Sequence, residues 1–202
     1  MVQKEVNDFL NIELEEINKF RNGIDMESIE KAKELIMGAE ANGNRVHVTG
    51  IGKPGHVAGY VASLLSSTGT PSYELHGTEA VHGSSGQVLP GDVVIAISNS
   101  GETTELKATV ETLKNNGAKI IACTRNPESY LAKAGDVALI AGVEREGDVM
   151  NKPPRASILA EIIMLQCLSI VLQNAKDITP EKYVKWHPGG SLGKSIREGD
   201  NK

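Results

Sequence analysis

Apolar residues recur every three or four positions at Val6, Leu10, Leu14, Ile17 and Phe20, which predicts an amphipathic helix. Arg21-Asn22-Gly23 interrupts it. Asp25 is placed to cap a second helix, with Ile29, Ala32, Leu35, Ile36 and Ala39 on one face and Asn42-Gly43 at its end. From Arg45 the pattern changes to short apolar runs alternating with amphipathic ones. Strands are predicted at 46–49, 72–75, 92–98, 119–124 and 137–140. Helices are predicted at 55–67, 103–116, 129–134 and 157–174. The run Val93-Val94-Ile95-Ala96-Ile97 suits a strand covered on both faces. This alternation predicts an α/β chain with a parallel sheet and helices on both faces.

Composition narrows the ligand. The chain has 202 residues, 21 Lys plus Arg against 26 Asp plus Glu, and a formal charge of −5. With no basic block, this argues against nucleic acid as a partner. One Trp, four Tyr and two Phe are too few for a base-stacking platform. No apolar run is expected to reach the ~18 residues of a membrane span. The opening Met1-Val2-Gln3-Lys4-Glu5 does not read as a signal peptide. Cys123 and Cys167 lie in apolar segments and read as reduced, buried thiols, so a cytoplasmic protein is expected. A small polar ligand, held by backbone and charge, fits these figures.

In an open parallel sheet the ligand sits beyond the carboxyl ends of the strands. Gly50-Ile51-Gly52-Lys53-Pro54-Gly55 follows the first strand and spells G-x-G-x-x-G, with Glu74 at the end of the second. That keeps a dinucleotide-binding oxidoreductase open. Lys53 is out of place in such a turn, however, and no second domain remains for a hydride acceptor. Ser98-Asn99-Ser100-Gly101-Glu102-Thr103-Thr104-Glu105 follows the most buried strand and opens a helix. Its hydroxyls and orphan N–H groups suit a phosphomonoester; an ordinary Ser/Thr cap is the plain alternative. Pro188–Ser195 misses a P-loop, because Pro188 replaces the first glycine and no strand precedes it. His76 and His82 find no Cys or Asp spacing that completes a zinc site. Lys53, Glu79, His82, Glu105, Glu146 and His187 fall in loops or at helix starts. Around a phosphate loop they form the set that moves protons next to a carbonyl.

Gly50–Gly193 resembles the sugar isomerase (SIS) domain of bacterial arabinose-5-phosphate isomerases. The matching segments are Gly50–His56, Ser67–Ser72, Glu79–Gly83, Asp92–Glu102, Arg125–Ser129 and His187–Gly193. The resemblance implies a three-layer, flavodoxin-like α/β/α sandwich with a five-stranded parallel sheet. It also implies a homo-oligomer with active sites shared between subunits. The implied activity is aldose–ketose isomerisation of a phosphosugar, arabinose-5-phosphate/ribulose-5-phosphate-like, with no cofactor. The family's four catalytic positions match Lys53, Glu105, Glu146 and His187, and its substrate-contacting histidine matches His82. Ser98, Ser100 and Thr103 match the phosphate cradle, with Asn99, Gly101 and Gly52 beside them. Gly69-Thr70 match a second substrate-contacting turn. His76 matches a histidine that contacts zinc, an inhibitory metal there.

The resemblance also assigns roles. Glu146, preferred over Glu105, removes the proton alpha to the carbonyl through a cis-enediol, and Lys53 stabilises the enediolate. Glu105 orients Lys53 or a hydroxyl, and His82 with His187 opens the sugar ring. Residues 1–43 form a helical extension, 44–194 the SIS domain and 195–202 a polar tail, and the family's CBS pair is expected to be absent. Val149–Ser157 departs from the family segment, and its Lys152 and Arg155 point to a different sugar or an extra acidic group. A non-catalytic phosphosugar sensor is the main alternative.

Overall fold

A computed structural model describes residues 1–189. The segment 190–193 of the last matching motif, and the tail 195–202, lie outside the described residues. The order of elements is α1 (Val2–Asn22), α2 (Met26–Ala41), β1 (Val46–Gly50), α3 (Lys53–Ser67), β2 (Ser72–Glu74), β3 (Val93–Ile97), α4 (Thr104–Asn115), β4 (Lys119–Thr124), α5 (Tyr130–Ala134), β5 (Val137–Ile140), α6 (Ala156–Ala175) and α7 (Pro180–Trp186). Two 3-10 turns, Glu79–His82 and Ser84–Gln87, lie between β2 and β3. The five strands are all parallel, in the order β2-β1-β3-β4-β5.

Strand side chains alternate between faces. Val46 and Val48 of β1, with Val93, Ile95 and Ile97 of β3, enter the core beneath α1, α2, α3 and α6. Val94 and Ala96 enter the opposite core, with Leu106 and Val110 of α4 and Leu131 of α5. Helices α3 and α4 therefore leave β1 and β3 to opposite faces. This is the topological switch point at which open α/β sheets bind ligands.

Helices α1 and α2 belong to the same core. Ile29, Ala32, Ile36 and Ala39 of α2 are buried in it, with Phe20 of α1. Glu16 of α1 is 1% exposed and accepts hydrogen bonds from Glu144 N (2.8 Å) and Arg145 Nε (2.7 Å). The rest of the α1 stripe is uncovered: Val6, Leu10 and Leu14 are exposed.

One expectation is corrected. Helix α6 is long and apolar enough, by length and composition, to cross a membrane. Half of that stretch is buried, with Ala160, Met164, Leu165, Leu168 and Leu172 facing the sheet core. A helix that packs against α1, α2 and α3 needs apolar residues around much of its circumference.

A polar knot closes the sheet's amino edge. Buried Asp92 accepts from Leu89 N (2.9 Å), Arg45 N (2.9 Å) and Asn44 Nδ2 (3.2 Å), and its Oδ2 lies 3.2 Å from His47 Nε2. Burial pushes the Asp92 carboxyl up, but these donors together outweigh it and hold the group below its ordinary value. A carboxyl lowered on folding gives stability that is complete above its unfolded value, 3.8, and lost as pH falls through the folded one. Asp92→Ala is expected to cost roughly 3 kcal/mol at pH 7, because it strands buried donors. Urea unfolding at pH 7 and pH 3 checks this, and the variant's deficit shrinks at the lower pH.

Candidate functional site

The loops at the carboxyl ends of β1 and β3 meet at the switch point. Gly50 ends β1, and a Cβ there would lie 2.7 Å from the Pro54 carbonyl carbon. Only glycine lets the strand end abut the first turn of α3. Gly52 caps α3 without a side-chain hydrogen bond, and exposed Lys53 is the first helical residue. A cation at a helix N-terminus meets the positive end of the dipole, which favours an anion beside both.

The second loop is held from below. Ser98 Oγ accepts from Gly101 N (3.1 Å) and lies 3.2 Å from Thr103 Oγ1. Asn99 O accepts from Arg125 N (3.0 Å) and Thr124 Oγ1 (3.2 Å). Gly101 O accepts from Leu131 N (3.1 Å), and Glu102 Oε1 from Tyr130 N (2.7 Å). Gly101 has φ +67°, and a Cβ there would lie 2.2 Å from Ser129 Oγ. Thr103 caps α4 but makes no side-chain cap hydrogen bond, whereas Ser100 Oγ accepts from Glu102 N (3.2 Å). Among the described residues, the amides of Ser100, Thr104 and Glu105 donate to no protein group. The uncapped starts of α3 and α4 thus follow neighbouring strands at the switch point, and the free amides at the start of α4 suit a phosphate-sized anion. Gly101→Ala is expected to destabilise the fold by roughly 2 kcal/mol through left-handed strain and the Ser129 clash. Thermal melts, with and without a sugar phosphate, check this: the variant loses both stability and ligand-induced stabilisation.

Glu105 is exposed in the first turn of α4. Glu146 is 8% exposed in the loop after β5. Its Oε2 accepts from Arg155 N (2.7 Å) and Ser157 N (3.1 Å), so it caps α6 from nine residues upstream. Asn151, at φ +48°, fixes its backbone: Asn151 Oδ1 accepts from Glu146 N at 2.6 Å. Oε1 of Glu146 makes no hydrogen bond among the described residues. Arg155, singled out as a reader of the sugar, is already committed. Its Nη1 donates to Asp148 Oδ2 at 2.7 Å, beside a cavity of about 810 Å³ between α1 and this loop. Lys152 is exposed.

His82 ends the first 3-10 turn, exposed, on the segment that packs on α4. His76 is exposed, with Nδ1 3.0 Å from Thr78 Oγ1. Among the described residues no three His, Cys, Asp or Glu side chains gather as metal ligands, so His76 lacks the donor set of a resident zinc.

Three expected site residues stand elsewhere. Gly69 and Thr70 lie in the turn between α3 and β2, at the sheet's amino edge. Thr70 is buried, its Oγ1 accepting from Lys176 Nζ (2.6 Å), which also donates to Gly69 O (3.0 Å). A Cβ on Gly69 would touch Ile178 (2.7 Å) and Trp186 (3.2 Å). His187, expected in a rigid turn, instead caps the C-terminus of α7. Its ring stacks on Tyr183 at 4.0 Å, with Nδ1 3.1 Å from Tyr183 O. Helix α6 starts at the carboxyl edge, capped by Glu146, and ends at Lys176, a 20-residue run of about 30 Å. One chain therefore does not bring Gly69, Thr70 and His187 to the β1–β3 crevice.

The Gly50–Gly55 turn adjoins only a small space. The space beside Gly52, Glu74 and His76 is about 150 Å³, below the ~300 Å³ of ordinary ligand pockets. The Glu74 carboxylate, needed for a ribose, lies over α3, 2.8 Å from where a Gly59 Cβ would sit.

A doubly wound α/β fold with an anion-ready crevice at its switch point defines a protein that binds small ligands through loops. The chain belongs to the SIS domain family, whose model matches residues 41–170. It is 38% identical over 185 residues to arabinose 5-phosphate isomerase of Francisella tularensis, covering 92% of this chain and 56% of that protein. It is 42% identical over 152 residues to the enzyme of the same name from Escherichia coli K12, covering 75% and 46%. The chain thus spans about half the length of these curated relatives. Among solved structures, a protein of E. coli CFT073 in complex with arabinose 5-phosphate superposes with TM-score 0.86 at 32% identity, over 93% of this chain and 97% of that one. A sugar-phosphate isomerase candidate from Listeria monocytogenes also superposes at 0.86, with 28% identity, over 93% of this chain and 97% of that one.

Proposed function

We propose that the protein is a phosphosugar isomerase that interconverts an aldose phosphate and a ketose phosphate, with arabinose 5-phosphate and ribulose 5-phosphate as the pair to test first. The observation that carries this reading is the uncapped start of α4 beside Ser98, Ser100 and Thr103, a ready seat for a phosphomonoester. Relatives named for this reaction, and a neighbour of matching length solved with arabinose 5-phosphate, support it.

In the proposed mechanism, the Ser98–Thr103 loop binds the phosphate and fixes the register of the sugar. His82 and His187 open the ring. Glu146, anchored through Oε2, uses Oε1 to take the proton from C2 of the aldose. It returns that proton to C1 of the cis-enediol while the hydroxyl proton moves from O2 to O1. No electron leaves the substrate, so no cofactor is consumed. Lys53 offsets the enediolate charge, and Glu105 orients Lys53. Two free cysteines accord with a reducing, cytoplasmic setting.

The separation of His187, Gly69 and Thr70 from the crevice supports a site completed by a second copy. The exposed stripe of Val6, Leu10 and Leu14 on α1 offers such a copy apolar surface. A mixing experiment tests this. Lys53→Ala and His187→Ala are each expected to be inactive, and refolding them together is expected to restore about a quarter of wild-type activity. Half of the dimers are then mixed, each with one intact site. No recovery would mean that His187 serves its own subunit or none.

A noncatalytic sensor would show binding without turnover. Thermal shift with sugar phosphates followed by an aldose–ketose assay separates the two: stabilisation with interconversion is the expected result.

A further inference from the structure

Helix α6 carries one charged residue within its apolar run, Glu161. It is 0% exposed, and neither carboxyl oxygen has a hydrogen-bond partner among the described residues. Ser157, one turn before it, is also fully buried, with an unpartnered hydroxyl. The backbone N–H of that same Ser157 donates to Glu146. An unpartnered polar atom in a core is a cost that a methionine or leucine would remove. Ser157 and Glu161, four residues apart, thus put three such atoms, two carboxyl oxygens and a hydroxyl, on one helix face just after the cap made by Glu146.

The titratable groups acting on Glu161 and its neighbours come from α1, the loop after β5 and β4. Glu13 on α1 is raised by burial, lowered by Arg155 and raised by Glu146. Glu146 in turn acts on Glu161. Buried Cys123 of β4 is pushed up by burial and by Glu161. Arg155 at the start of α6 is the cation that acts on Glu13, and it is paired with Asp148.

We propose that Glu161 is a positioning residue for Glu146: its buried carboxyl, one turn after the Ser157 N–H that anchors Glu146, sets how readily Glu146 takes up and returns the substrate proton. The proposal rests on the reading of Glu146 as the base. In a neutral Glu161 the O–H is a buried donor with no partner but its surroundings. In a charged Glu161 the carboxylate repels a second charge on Glu146. Burial and the charge of Glu146 push Glu161 up to about 8, so this change of state falls within the range over which a sugar isomerase can be assayed.

Two measurements on the full chain test it. The first is a titration of ¹³C-glutamate-labelled protein from pH 6 to 9.5, comparing wild type with Glu161→Gln. The expected result is one carboxyl titrating near pH 8 and a matching inflection in the Glu146 resonance, both lost in the variant. The second is kcat and KM for arabinose 5-phosphate over the same range. Wild-type kcat is expected to change about tenfold for each unit of coupling, and the variant's to stay flat over that step, with KM little altered. Superimposable kcat profiles, or no Glu146 inflection, would overturn the proposal. If no sugar phosphate turns over, the reading of Glu146 as base fails, and the resonances still report whether the two carboxyls are coupled. Glu161→Met separates a packing role: equal loss of activity at every pH in both variants would make Glu161 merely structural.

Discussion

Glu146→Gln is expected to lose roughly 10²–10⁴-fold in kcat on the true substrate, with KM nearly unchanged. The amide keeps the size of the side chain and an oxygen for the N–H groups of Arg155 and Ser157, so the start of α6 remains capped. What it removes is the carboxylate proposed to accept a proton from carbon. A change confined to kcat marks an interaction made only in the transition state. Circular dichroism and thermal melts of the variant should match wild type within about 1 kcal/mol. Turnover near the wild-type rate would reassign the base, with Glu105 next in line because it sits at the start of α4 beside the phosphate loop.

The second large effect is on stability. Glu161→Met is expected to stabilise the protein by a few degrees at pH 4.5, where a neutral carboxyl still lacks partners, and by about 10–20 °C more at pH 9. The sign follows from a carboxyl raised on folding. The unfolded chain gives up this proton near 4.5, whereas the folded one holds it until about 8. Wild-type stability therefore falls as pH rises from about 4.5 to about 8 and levels off above. The 3.5-unit span corresponds to roughly 5 kcal/mol at the upper end. Methionine has no proton to lose and no unpartnered oxygen, so the slope disappears. Melting curves at pH 4.5, 7 and 9 check this. A gain that is the same at all three values would show that Glu161 is unperturbed in the folded protein. Stability gained at the expense of rate would also explain why such a group is tolerated in a core.

The fold is legible in the sequence because its signals are local. The Val93–Ile97 run, the glycine turn after Val46–Thr49 and the capping Asp25 each announce an element without reference to distant residues. Helix α7 is not among the predicted elements, although Thr179-Pro180 carries the signal: Thr179 accepts from Lys182 N and Pro180 opens the helix. The two 3-10 turns between β2 and β3 are too short to show a period. The amphipathic stripe of α1 is visible as a stripe, yet only its C-terminal end, at Ile17 and Phe20, is covered within the chain.

In the candidate site the positions of Lys53, Ser98–Thr103 and Glu105 are legible, because loop-to-helix junctions fix where those residues stand. Glu146 is legible as a residue but not as the cap of α6, because the nine residues between it and Arg155 have no regular period. Gly69, Thr70 and His187 are expected with the others, whereas α6 carries the chain to the far edge of the sheet. A spacing along the sequence does not tell which edge a turn occupies. Glu161 is inconspicuous inside an apolar helix. A single glutamate in an otherwise apolar run is the available signal, and its meaning comes only with its burial and its neighbour.

Proton abstraction from a bound sugar phosphate is the step on which the proposed function depends. The direct measurement is incubation of the protein with arabinose 5-phosphate in heavy water, followed by NMR of the sugar carbons. The predicted result is deuterium at C2 of the recovered aldose and at C1 of the ketose formed, at rates that fall together in Glu146→Gln. Binding of the sugar phosphate with no deuterium at either carbon would contradict it.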